Sequence, residues 1–412
     1  MAIVKPFCAV RPRADIVSQV AALPYDVYNR TEAREAVKGK PYSFLNIDRP
    51  ETQLDPSVDI YDDVVYKKAR EVLDNHIESG IYLQDWSACY YIYELTMDGR
   101  TQTGIVGCSS IDDYESGVIK KHENTRADKE MDRIDHVDAC SAQTGPIFLA
   151  YRSDQQINAV ISEVKQESQA IYDFVSEDGI RHCVWKISDL NQIQRLEDAF
   201  EKIPNTYIAD GHHRAASAVK VGLGRRNQHP DYTGAEEFNY FLSVLFPDDQ
   251  LYIMDYNRTV KDLNGYTKKE FMEKVAENFQ VECVGKKAYA PKEKNTFGMY
   301  IDSEWYCLTA KEEIRSKDPV KGLDVSILQD YLLDPILGIK DPKNDKKINF
   351  IGGIRGLKEL EKRADMDMRV SFSMYPTTIE ELFAVADANL LMPPKSTWFE
   401  PKLRSGLFIH KF

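Results

Sequence analysis

Two histidines and an arginine follow an apolar strand near the middle of the chain. Residues 207–209 are apolar, and the polar run after them is Asp210, Gly211, His212, His213 and Arg214. An alanine-rich stretch that favours a helix comes next. Glycine permits a left-handed turn and a close approach of the backbone to a ligand. Because cationic side chains at the start of a helix are unfavourable unless an anion binds, the pattern predicts a phosphate or carboxylate site there.

An ordinary turn with solvent-facing histidines is the alternative interpretation of this segment, called the box below (residues 210–214). The unbroken polar run between an apolar strand and a helix favours the anion site. Asp210 is predicted to organise the turn or to hold Mg²⁺, since one carboxylate plus phosphate oxygens often suffices for that ion. His213 and Asp210 are catalytic candidates, and the predicted phosphate contacts are Gly211, His212 and Arg214.

A second polar stretch, residues 118–133, begins with another short apolar pair. It contains His, Glu, Thr, Lys, Asp and Arg and almost no apolar residue. Such runs are usually the solvated face of a helix. The position of the His-Glu pair, directly after the apolar pair, favours instead a site at the mouth of a strand. The candidates are His122 and Glu123 as catalytic residues and Thr125, Lys129 and Arg133 as phosphate contacts.

The last twenty residues are basic within an otherwise acidic chain. Residues 393–412 contain three lysines and one arginine against one glutamate. Chain ends usually fray, but aromatic residues and leucine among fixed prolines predict that this segment docks on the body of the protein. Two roles stay open: docking alone, or docking with phosphate or carboxylate contacts from Lys395, Ser396, Thr397 and Arg404.

The box, followed by alanine, resembles the phosphate-binding box of the ParB/sulfiredoxin/free-serine-kinase superfamily, in which a Gly-x-x-Arg-like sequence opens a helix. From Leu23-Pro24-Tyr25-Asp26 to the carboxyl end, the chain resembles the family called domain of unknown function 1015. In the free-serine kinases a His-Glu segment supplies the glutamate that takes the proton from the serine hydroxyl. The resemblance therefore implies the role of catalytic base for Glu123.

The same resemblance implies that two further segments belong to a functional signature. One comprises His122, Glu123, Thr125 and the pair Asp132-Arg133, and the other is the Pro-Lys-Ser-Thr sequence near the carboxyl end. A cysteine nucleophile of the sulfiredoxin kind is not expected, because the box has histidines where that chemistry needs a cysteine.

Composition limits the classes of protein that this chain can be. Its 412 residues, 43% hydrophobic and 29% charged, are typical of a soluble protein with two or three domains. No leader and no apolar run of spanning length is present, so neither a signal peptide nor a membrane partner is expected. Seven scattered cysteines without Cys-x-x-Cys spacing suit a reducing cytoplasm. A net charge of −13 and the absence of a basic domain argue against nucleic acid as a partner.

The order of predicted elements indicates an α+β (mixed α/β) fold. A strand, helix, hairpin, helix, strand and helix are predicted between residues 100 and 224, with one hairpin turn at Asp98-Gly99. Gly222 and Gly224 are predicted to end the helix that follows the box. The expected domains are an N-terminal α/β segment packed on the core (1–100), a core that the resemblance makes ParB/serine-kinase-like (101–235), and a C-terminal α/β domain with the docked basic tail (236–412).

Phosphoryl transfer needs positioned cations, a cradle for oxygens, usually a divalent metal, and a residue that deprotonates the nucleophile. The chain offers each without a Walker loop or a protein-kinase signature. We therefore expect a cytoplasmic enzyme that moves a phosphoryl group to or from a small hydroxylated metabolite, with free L-serine or phosphoserine as the leading candidate. The expected cofactors are Mg²⁺ and a nucleotide (ADP or ATP) or pyrophosphate. The reverse reaction, a phosphatase, fits the same residues.

Three other functions are weighed against this one. A regulatory protein that binds a nucleotide or phosphorylated metabolite without catalysis fits the same box. A CTP-dependent DNA clamp is disfavoured by the acidic charge. A transition-metal site is disfavoured because the histidines lack His-x-x-x-His spacing and the cysteines are unpaired. The expected partner is a small phosphorylated ligand, and the oligomeric state stays open.

Overall fold

Short strands and helices alternate along the chain, which confirms the predicted mixed α/β class. A computed structural model describes residues 1–412. The strands are β1 Val4–Lys5, β2 Val10–Pro12, β3 Tyr82–Gln84, β4 Tyr90–Met97, β5 Arg100–Ser110, β6 Ile119–Lys120, β7 Ala142–Gln143, β8 Ile147–Tyr151, β9 Tyr172–Val175, β10 Arg181–Ile187, β11 Thr206–Asp210, β12 Tyr240–Pro247, β13 Ile253–Met254, β14 Tyr256–Val260, β15 Phe279–Gly285, β16 Thr296–Ile301, β17 Glu304–Ala310, β18 Ile348–Gly352, β19 Val370–Met374, β20 Trp398–Phe399 and β21 His410–Lys411.

The helices are amphipathic, and most begin at a side chain that caps the first backbone amides. They are α1 Val17–Val20, α2 Arg30–Val37, α3 Leu45–Asp48, α4 Asp63–Glu78, α5 Ile111–Glu115, α6 Ala127–Cys140, α7 Gln155–Glu167, α8 Leu190–Phe200, α9 His212–Gln228, α10 Lys268–Asn278, α11 Asp324–Leu328, α12 Leu357–Met366 and α13 Ile379–Asp387. None of them combines the length and the apolar character that a membrane crossing requires.

The chain forms two compact units. The first contains Met1–Leu251 and Pro401–Phe412, and the second contains Tyr252–Glu400. These boundaries differ from those expected at residues 100 and 235. The physical reason is sheet pairing: β4 and β5 form one hairpin across residue 100, and β12 pairs with both β5 and β8. Strands hydrogen-bonded within one sheet cannot belong to separate domains.

A 9-stranded sheet forms the centre of the first unit. Its strand order is β6-β11-β8-β12-β5-β4-β10-β9, and β1 pairs with β5 outside this path. The hairpin predicted at Asp98-Gly99 is confirmed, and both turn residues have positive φ, as a tight two-residue turn requires. Ile92, Leu149 and Ile208 belong to the fully buried apolar cluster on this sheet. The strands therefore hold the box on a rigid support.

A 6-stranded sheet forms the second unit, in the order β15-β17-β16-β19-β14-β18, with every pairing antiparallel. Its core includes the fully buried Trp305 and the buried Leu360. A capping box begins α13, because the Thr378 hydroxyl accepts from the Glu381 amide and the Glu381 carboxylate accepts from the Thr378 amide.

The helix after the box runs through both glycines that were predicted to end it. Helix α9 continues to Gln228, so the stop signal assigned to Gly222 and Gly224 is wrong. A Cβ atom at Gly222 would lie 2.4 Å from the Phe238 carbonyl oxygen and 2.9 Å from Ile111 Cδ1, whereas a Cβ at Gly224 meets nothing within 4 Å. Position 222 therefore requires glycine, because α9 packs closely against Phe238 and Ile111 there.

This difference predicts opposite effects for two alanine substitutions in the same helix. Gly222→Ala should destabilise the protein by about 1–3 kcal/mol, because the added methyl overlaps backbone and core atoms. Gly224→Ala should stabilise it by about 0.5–1 kcal/mol, because alanine has the higher helix propensity and the space is open. Urea unfolding of both variants measures these changes in free energy. Equal stabilities for the two variants would contradict the packing described.

Candidate functional site

Strand β11 ends at the box, and the chain turns at Gly211 into α9. Gly211 has φ 96°, a left-handed conformation that other residues adopt only at a cost. A Cβ atom at this position would also lie 3.0 Å from Arg214 Nε. The turn therefore requires glycine, both for its backbone conformation and for the space that the Arg214 side chain occupies.

The strand and helix of the box lie parallel to a second strand and helix. Strand β6 pairs in parallel with β11, and α6 follows β6 as α9 follows β11. The Arg126 amide donates to His213 Nε2 (2.9 Å), and the Ser217 hydroxyl donates to the Glu130 carbonyl (3.0 Å). Each of these contacts joins residues 87 apart in sequence. The helices thus run side by side in the same direction, and their amino-terminal ends meet.

Neither of these two helices begins with a side-chain cap. The residue before α6 is Arg126, which has no acceptor, and the residue before α9 is Gly211. In the same unit α4, α7 and α8 each begin with a capping aspartate. Helix α9 also lacks any acidic residue in its first turn. Helix α6 has Asp128 and Glu130 in its first turn, and these carboxylates offset the positive end of its dipole. The start of α9 is therefore the end at which an anion is favoured.

Two histidines lie buried behind this meeting point. The His122 and His212 rings pack edge to face with centroids 4.5 Å apart, and the His122 amide donates to His212 Nε2 (3.5 Å). Burial lowers the pKa of His122 to about 4 and holds the pKa of His212 well below its usual value. Both rings are neutral at pH 7. His212 Nε2 contacts the backbone of His122, and the phosphate contact predicted for His212 stays a prediction.

The buried histidines predict that the protein loses stability in mild acid. The pKa of His122 is about 4 in the folded protein and about 6.5 in the unfolded chain. Above pH 6.5 both states hold a neutral ring, so this histidine does not lower the free energy of unfolding there. As pH falls from 6.5 toward 4, the unfolded chain binds the proton first, so stability falls by up to about 1.4 kcal/mol per pH unit for each such group. Urea unfolding between pH 7 and 4.5 should show that the free energy of unfolding falls less steeply with falling pH in His122→Gln than in the wild type. The exposed His229, changed to glutamine, is the control that keeps the wild-type slope, and equal slopes for all three proteins would contradict this prediction.

Two cations flank the carboxylate of the box. Lys402 Nζ lies 3.2 Å from Asp210 Oδ2, and Arg214 Nη2 lies 3.8 Å from the same oxygen. Burial alone would raise the pKa of Asp210, but Lys402 and Arg214 hold it well below its usual value. Arg214 also donates to the Pro146 carbonyl (2.6 Å). Sequence reasoning missed Lys402, for which the basic character of the last residues was the only signal.

The residues present do not form a protein-built magnesium site. The Asp210 carboxylate, the predicted ligand, is already engaged by the ammonium of Lys402 and the guanidinium of Arg214. No group of three or more His, Cys, Asp or Glu side chains is arranged to hold a metal ion in this chain. Asp210 organises the two cations of the turn, while the magnesium role predicted for it, with phosphate oxygens as the other ligands, stays a prediction.

A small cleft of about 20 Å³, with room for about one water molecule, lies beside the turn. Arg214 reaches it from α9, and Arg133 and His136 reach it from α6. Arg133 is buried and lies 4.0 Å above the Tyr25 ring, with Asp132 Oδ2 3.0 Å from its guanidinium. The whole lining comprises Tyr25, Asp48, Arg133, His136, Val137, Gln143, Thr144, Gly145, Ile147, Arg214, Ala218 and Ser405.

One ring nitrogen in this cleft has no hydrogen-bond partner. His136 Nε2 lies 2.9 Å from the Ile47 carbonyl oxygen, which can only accept, so Nε2 carries the proton. Nδ1 is then an acceptor, and it is buried without a partner. Burial, with the charge of Arg133, lowers the pKa of His136 and keeps the ring neutral. Buried polar atoms are normally hydrogen-bonded, so Nδ1 is an open position for a donor.

The remaining site residues predicted in the stretch 118–133 lie at or just before the start of α6. The Thr125 hydroxyl donates to Glu130 Oε2 (2.6 Å), and Lys129 Nζ lies 3.4 Å from the Tyr61 hydroxyl. Glu123 is half-buried in the loop between His122 and Arg126. Both of these neighbours contact the first residues of α9 through their backbone amides. The loop that carries Glu123 is therefore fixed against the box.

The four predicted residues near the carboxyl end fall in two places. Lys395, Ser396 and Thr397 belong to the second unit, where the Lys395 carbonyl accepts from Arg258 and the Ser396 hydroxyl donates to Pro393. Arg404 belongs to the first unit, is 3% exposed, and binds Ser176 and Asp178 of the β9–β10 hairpin. These contacts hold Lys395, Ser396 and Arg404 in place, and the phosphate or carboxylate contacts predicted for the four residues stay a prediction.

Most of the cleft residues were not identified from the sequence. Tyr25, Asp48, His136 and Thr144 lie in separate segments, and only the fold brings them together. Asp48 is 2% exposed and accepts from the Thr144 hydroxyl (2.9 Å). No local motif marks a set of this kind, because each member is an ordinary polar residue in its own segment.

Among solved structures, the chain is similar to three that share most of its length. A free serine kinase mutant in complex with AMP has 14% identity and a TM-score of 0.35, covering 74% of this chain and 92% of that chain. The same kind of kinase in complex with ADP has 16% identity and a TM-score of 0.35, with coverage of 75% and 93%. SbnI from Staphylococcus aureus, with a C-terminal truncation, has 10% identity and a TM-score of 0.40, with coverage of 74% and 87%. Similarity at this level assigns no reaction to the chain.

Comparison at the level of sequence gives a clearer result. No curated protein matches this chain. The family model described as "Protein of unknown function (DUF1015)" matches residues 4–326, which is more than half of the sequence. The resemblance predicted from the box and the amino-terminal motif is confirmed, and the chain belongs to the DUF1015 family.

Proposed function

We propose that the first unit catalyses phosphoryl transfer to or from a small hydroxylated metabolite. Free L-serine or phosphoserine is the first acceptor to test, because the box and the His-Glu segment resemble those of free-serine kinases in sequence. The observation that carries the proposal is the meeting of two uncapped helix starts, with Arg214 and Lys402 at the turn and the Glu123 loop beside it.

The phosphoryl group would bind at the start of α9. Backbone amides at a helix start and the positive end of its dipole favour anions, and α9 has no acidic residue in its first turn. Arg214 and Lys402 place two cationic side chains beside the Asp210 carboxylate at this turn. This arrangement stabilises the negative charge on the transferred group without rearrangement, which is the main requirement for phosphoryl transfer.

The acceptor would bind at the cleft beside the turn, which must widen to admit it because its present volume of about 20 Å³ holds about one water molecule. Arg133 and Arg214 present positive charge to it, while Asp48 and His136 Nδ1 present acceptors. This combination suits a small molecule that has an anionic group and also hydrogen-bond donors such as an ammonium or hydroxyl group. Because Arg214 lines the cleft and also flanks the box, the acceptor would lie next to the phosphoryl group.

Glu123 would serve as the base. The acceptor hydroxyl gives its proton to the Glu123 carboxylate as its oxygen bonds to phosphorus, and the bond from phosphorus to the leaving oxygen of the donor breaks. With ATP as donor the leaving product is ADP, with ADP it is AMP, and with pyrophosphate it is phosphate. In the phosphatase form water gives its proton to Glu123 as its oxygen bonds to the phosphorus of the phosphomonoester, the bond from phosphorus to the metabolite oxygen breaks, and the metabolite leaves as the free alcohol. His122 and His212 hold the loop and the turn together, and His213 Nε2 accepts from the Arg126 amide.

A screen of donors and acceptors tests the proposed reaction. The intact protein is incubated with ATP, ADP or pyrophosphate, each with L-serine and related hydroxylated metabolites, and also with phosphoserine and water. Phosphorus NMR detects a new phosphomonoester or released phosphate. The proposal predicts product with at least one pair. If no pair gives either product, both the kinase and the phosphatase forms of the proposal are wrong.

A further inference from the structure

One side of the cleft is formed by a short segment that buries little of its surface. Tyr25 lies on the turn Tyr25–Val27, which has no buried residue, and α2 follows this turn. Within α2, Ala33 is the one buried residue. We call residues 25–37 the flap. Because apolar burial is the main term that holds a segment to the body of a protein, the flap has a low local stability.

Arginine side chains attach the flap to the rest of the first unit through backbone carbonyls. Arg49 Nη1 donates to the carbonyls of Tyr25 (3.0 Å) and Tyr28 (2.7 Å). Further along the flap, Arg34 Nη2 donates to two carbonyls of residues 51–54 (2.8 Å each). Each such bond is exchanged for a bond with water at a modest net cost, so the flap can detach while the sheet stays folded.

The other walls of the cleft lie on elements that are fixed in the core. Helices α6 and α9, which contribute Arg133, His136 and Arg214, each bury several side chains. Strand β7 is paired with β21, and β8 is paired with β11 and β12. The flap is therefore the wall that can move while the rest of the lining keeps its place.

In the closed state Tyr25 covers a charge that the cleft would offer to a ligand. The centre of its ring lies 4.0 Å from Arg133 Cζ, and Arg133 is 6% exposed. The face of the ring attracts the guanidinium, and the closed cleft holds about one water molecule. A ligand therefore reaches Arg133 only when the ring has moved away.

We propose that the flap gates the cleft and that Tyr25 is the gating residue. Opening takes the Tyr25 ring off Arg133 and gives the cleft the room that a small metabolite needs. Tyr25 and the ligand thus compete for the same guanidinium. The inference rests on the proposed function for the identity of the ligand, whereas the opening is a property of the free protein.

Modification of arginine by phenylglyoxal tests this gate in the full-length protein without any metabolite. The reagent is similar in size to a small metabolite, and peptide mass mapping gives its rate of reaction at each guanidinium. Arg404 of the same unit, which is 3% exposed and bonded to Asp178, is the internal reference. Arg133 should be modified at least about tenfold faster than Arg404, because opening of the flap exposes only Arg133. Equal rates at the two arginines overturn the proposal.

Arg49→Lys separates movement of the flap from a change in the cleft itself. Lysine keeps a cation for the Glu51 carboxylate but lacks the fixed fork that holds the flap carbonyls. Modification of Arg133 should become about 5- to 30-fold faster, although Arg49 does not line the cleft. Arg195→Lys, the same change at a half-exposed position bonded to Glu163, should leave that rate unchanged.

Two results with Arg49→Lys overturn the proposal. One is a rate at Arg133 equal to that of the Arg195→Lys control. The other is a rise at Arg404 by the same factor as at Arg133, because the whole unit then opens and the flap does not move on its own.

Two changes of Tyr25 test its role as the gating residue. Tyr25→Phe keeps the ring over the guanidinium and should leave the rate at Arg133 within about twofold. Tyr25→Ala removes the ring and should raise that rate at least about fivefold. Equal rates in both variants overturn the role of the ring. If Tyr25→Ala does not fold, the wild-type ratio and the Arg49→Lys rate decide the matter.

The outcome is separable from that of the proposed reaction. If no donor and acceptor pair gives product but Arg133 is modified in preference to Arg404, the reaction is wrong and the gate stands. If product forms and Arg133 is as protected as Arg404 in the wild type and in Arg49→Lys, the gate is overturned and the reaction stands.

Discussion

Replacing Glu123 with glutamine is expected to lower kcat by about 10²- to 10⁴-fold, the usual contribution of a general base. Glutamine has nearly the same size as glutamate but cannot accept a proton at neutral pH. The His122 and Arg126 backbone contacts with α9 do not involve the changed side chain. Affinity for the nucleotide or pyrophosphate donor should therefore change by less than about threefold. The measurement is the rate of phosphoester formation together with the Kd of the donor.

The matched control for this variant is Glu201→Gln, at an exposed position after α8. It removes the same charge from the same unit and should leave kcat unchanged. A regulatory protein without catalysis gives a different pattern, in which Glu123→Gln is as silent as the control and the wild type responds to ligand by a change of conformation. Unchanged turnover in Glu123→Gln would show that another group takes the proton.

Replacing Arg133 with methionine is expected to destabilise the protein by about 3–5 kcal/mol, because it leaves a buried carboxylate without its cation. Asp132 is 11% exposed and would keep only the Tyr66 hydroxyl (3.2 Å) as a side-chain partner. The Tyr25 ring would also lose the guanidinium 4.0 Å from its centre. Urea unfolding measures the free-energy change, and the same variant should weaken binding of an anionic acceptor in the cleft.

The double variant Asp132→Asn with Arg133→Met separates the ion pair from packing. Removal of both charges leaves no uncompensated group, so the double variant should recover a substantial part of the stability that the single variant loses. If the single and double variants are equally unstable, the loss arises from packing and not from the buried charge.

Local elements were predictable because their signals are local. Helix α8 has the limits that its apolar spacing indicates, and the Asp98-Gly99 turn supplies the positive φ values that its hairpin needs. The strand, glycine turn and helix of the box follow the same rule. In each of these cases the residues that decide the structure are neighbours in sequence.

The orientation of the two histidines of the box could also have been found from spacing. His212, Ala215, Ala216 and Val219 recur at helical intervals, and all are buried. His212 therefore lies on the apolar face of α9, and His213 lies on the adjacent face. The polar run by itself predicts that the His212 and His213 rings both face a ligand.

Long-range contacts account for what could not be predicted. Lys402 and Asp210 are 192 residues apart, and the cleft combines residues from near the amino end, from α6 and α9, and from the carboxyl end. The parallel alignment of α6 and α9 depends on the pairing of β6 with β11 at the edge of the sheet. A single sequence contains no signal for such pairings, because they depend on packing between distant segments.

The binding of an anion at the turn can be seen in a crystal of the protein soaked with pyrophosphate. Density for the anion is expected at the start of α9, within hydrogen-bonding distance of the backbone amides of residues 212–214, the Arg214 guanidinium and the Lys402 ammonium. Density for the anion elsewhere, or an unoccupied turn at saturating pyrophosphate, would contradict it.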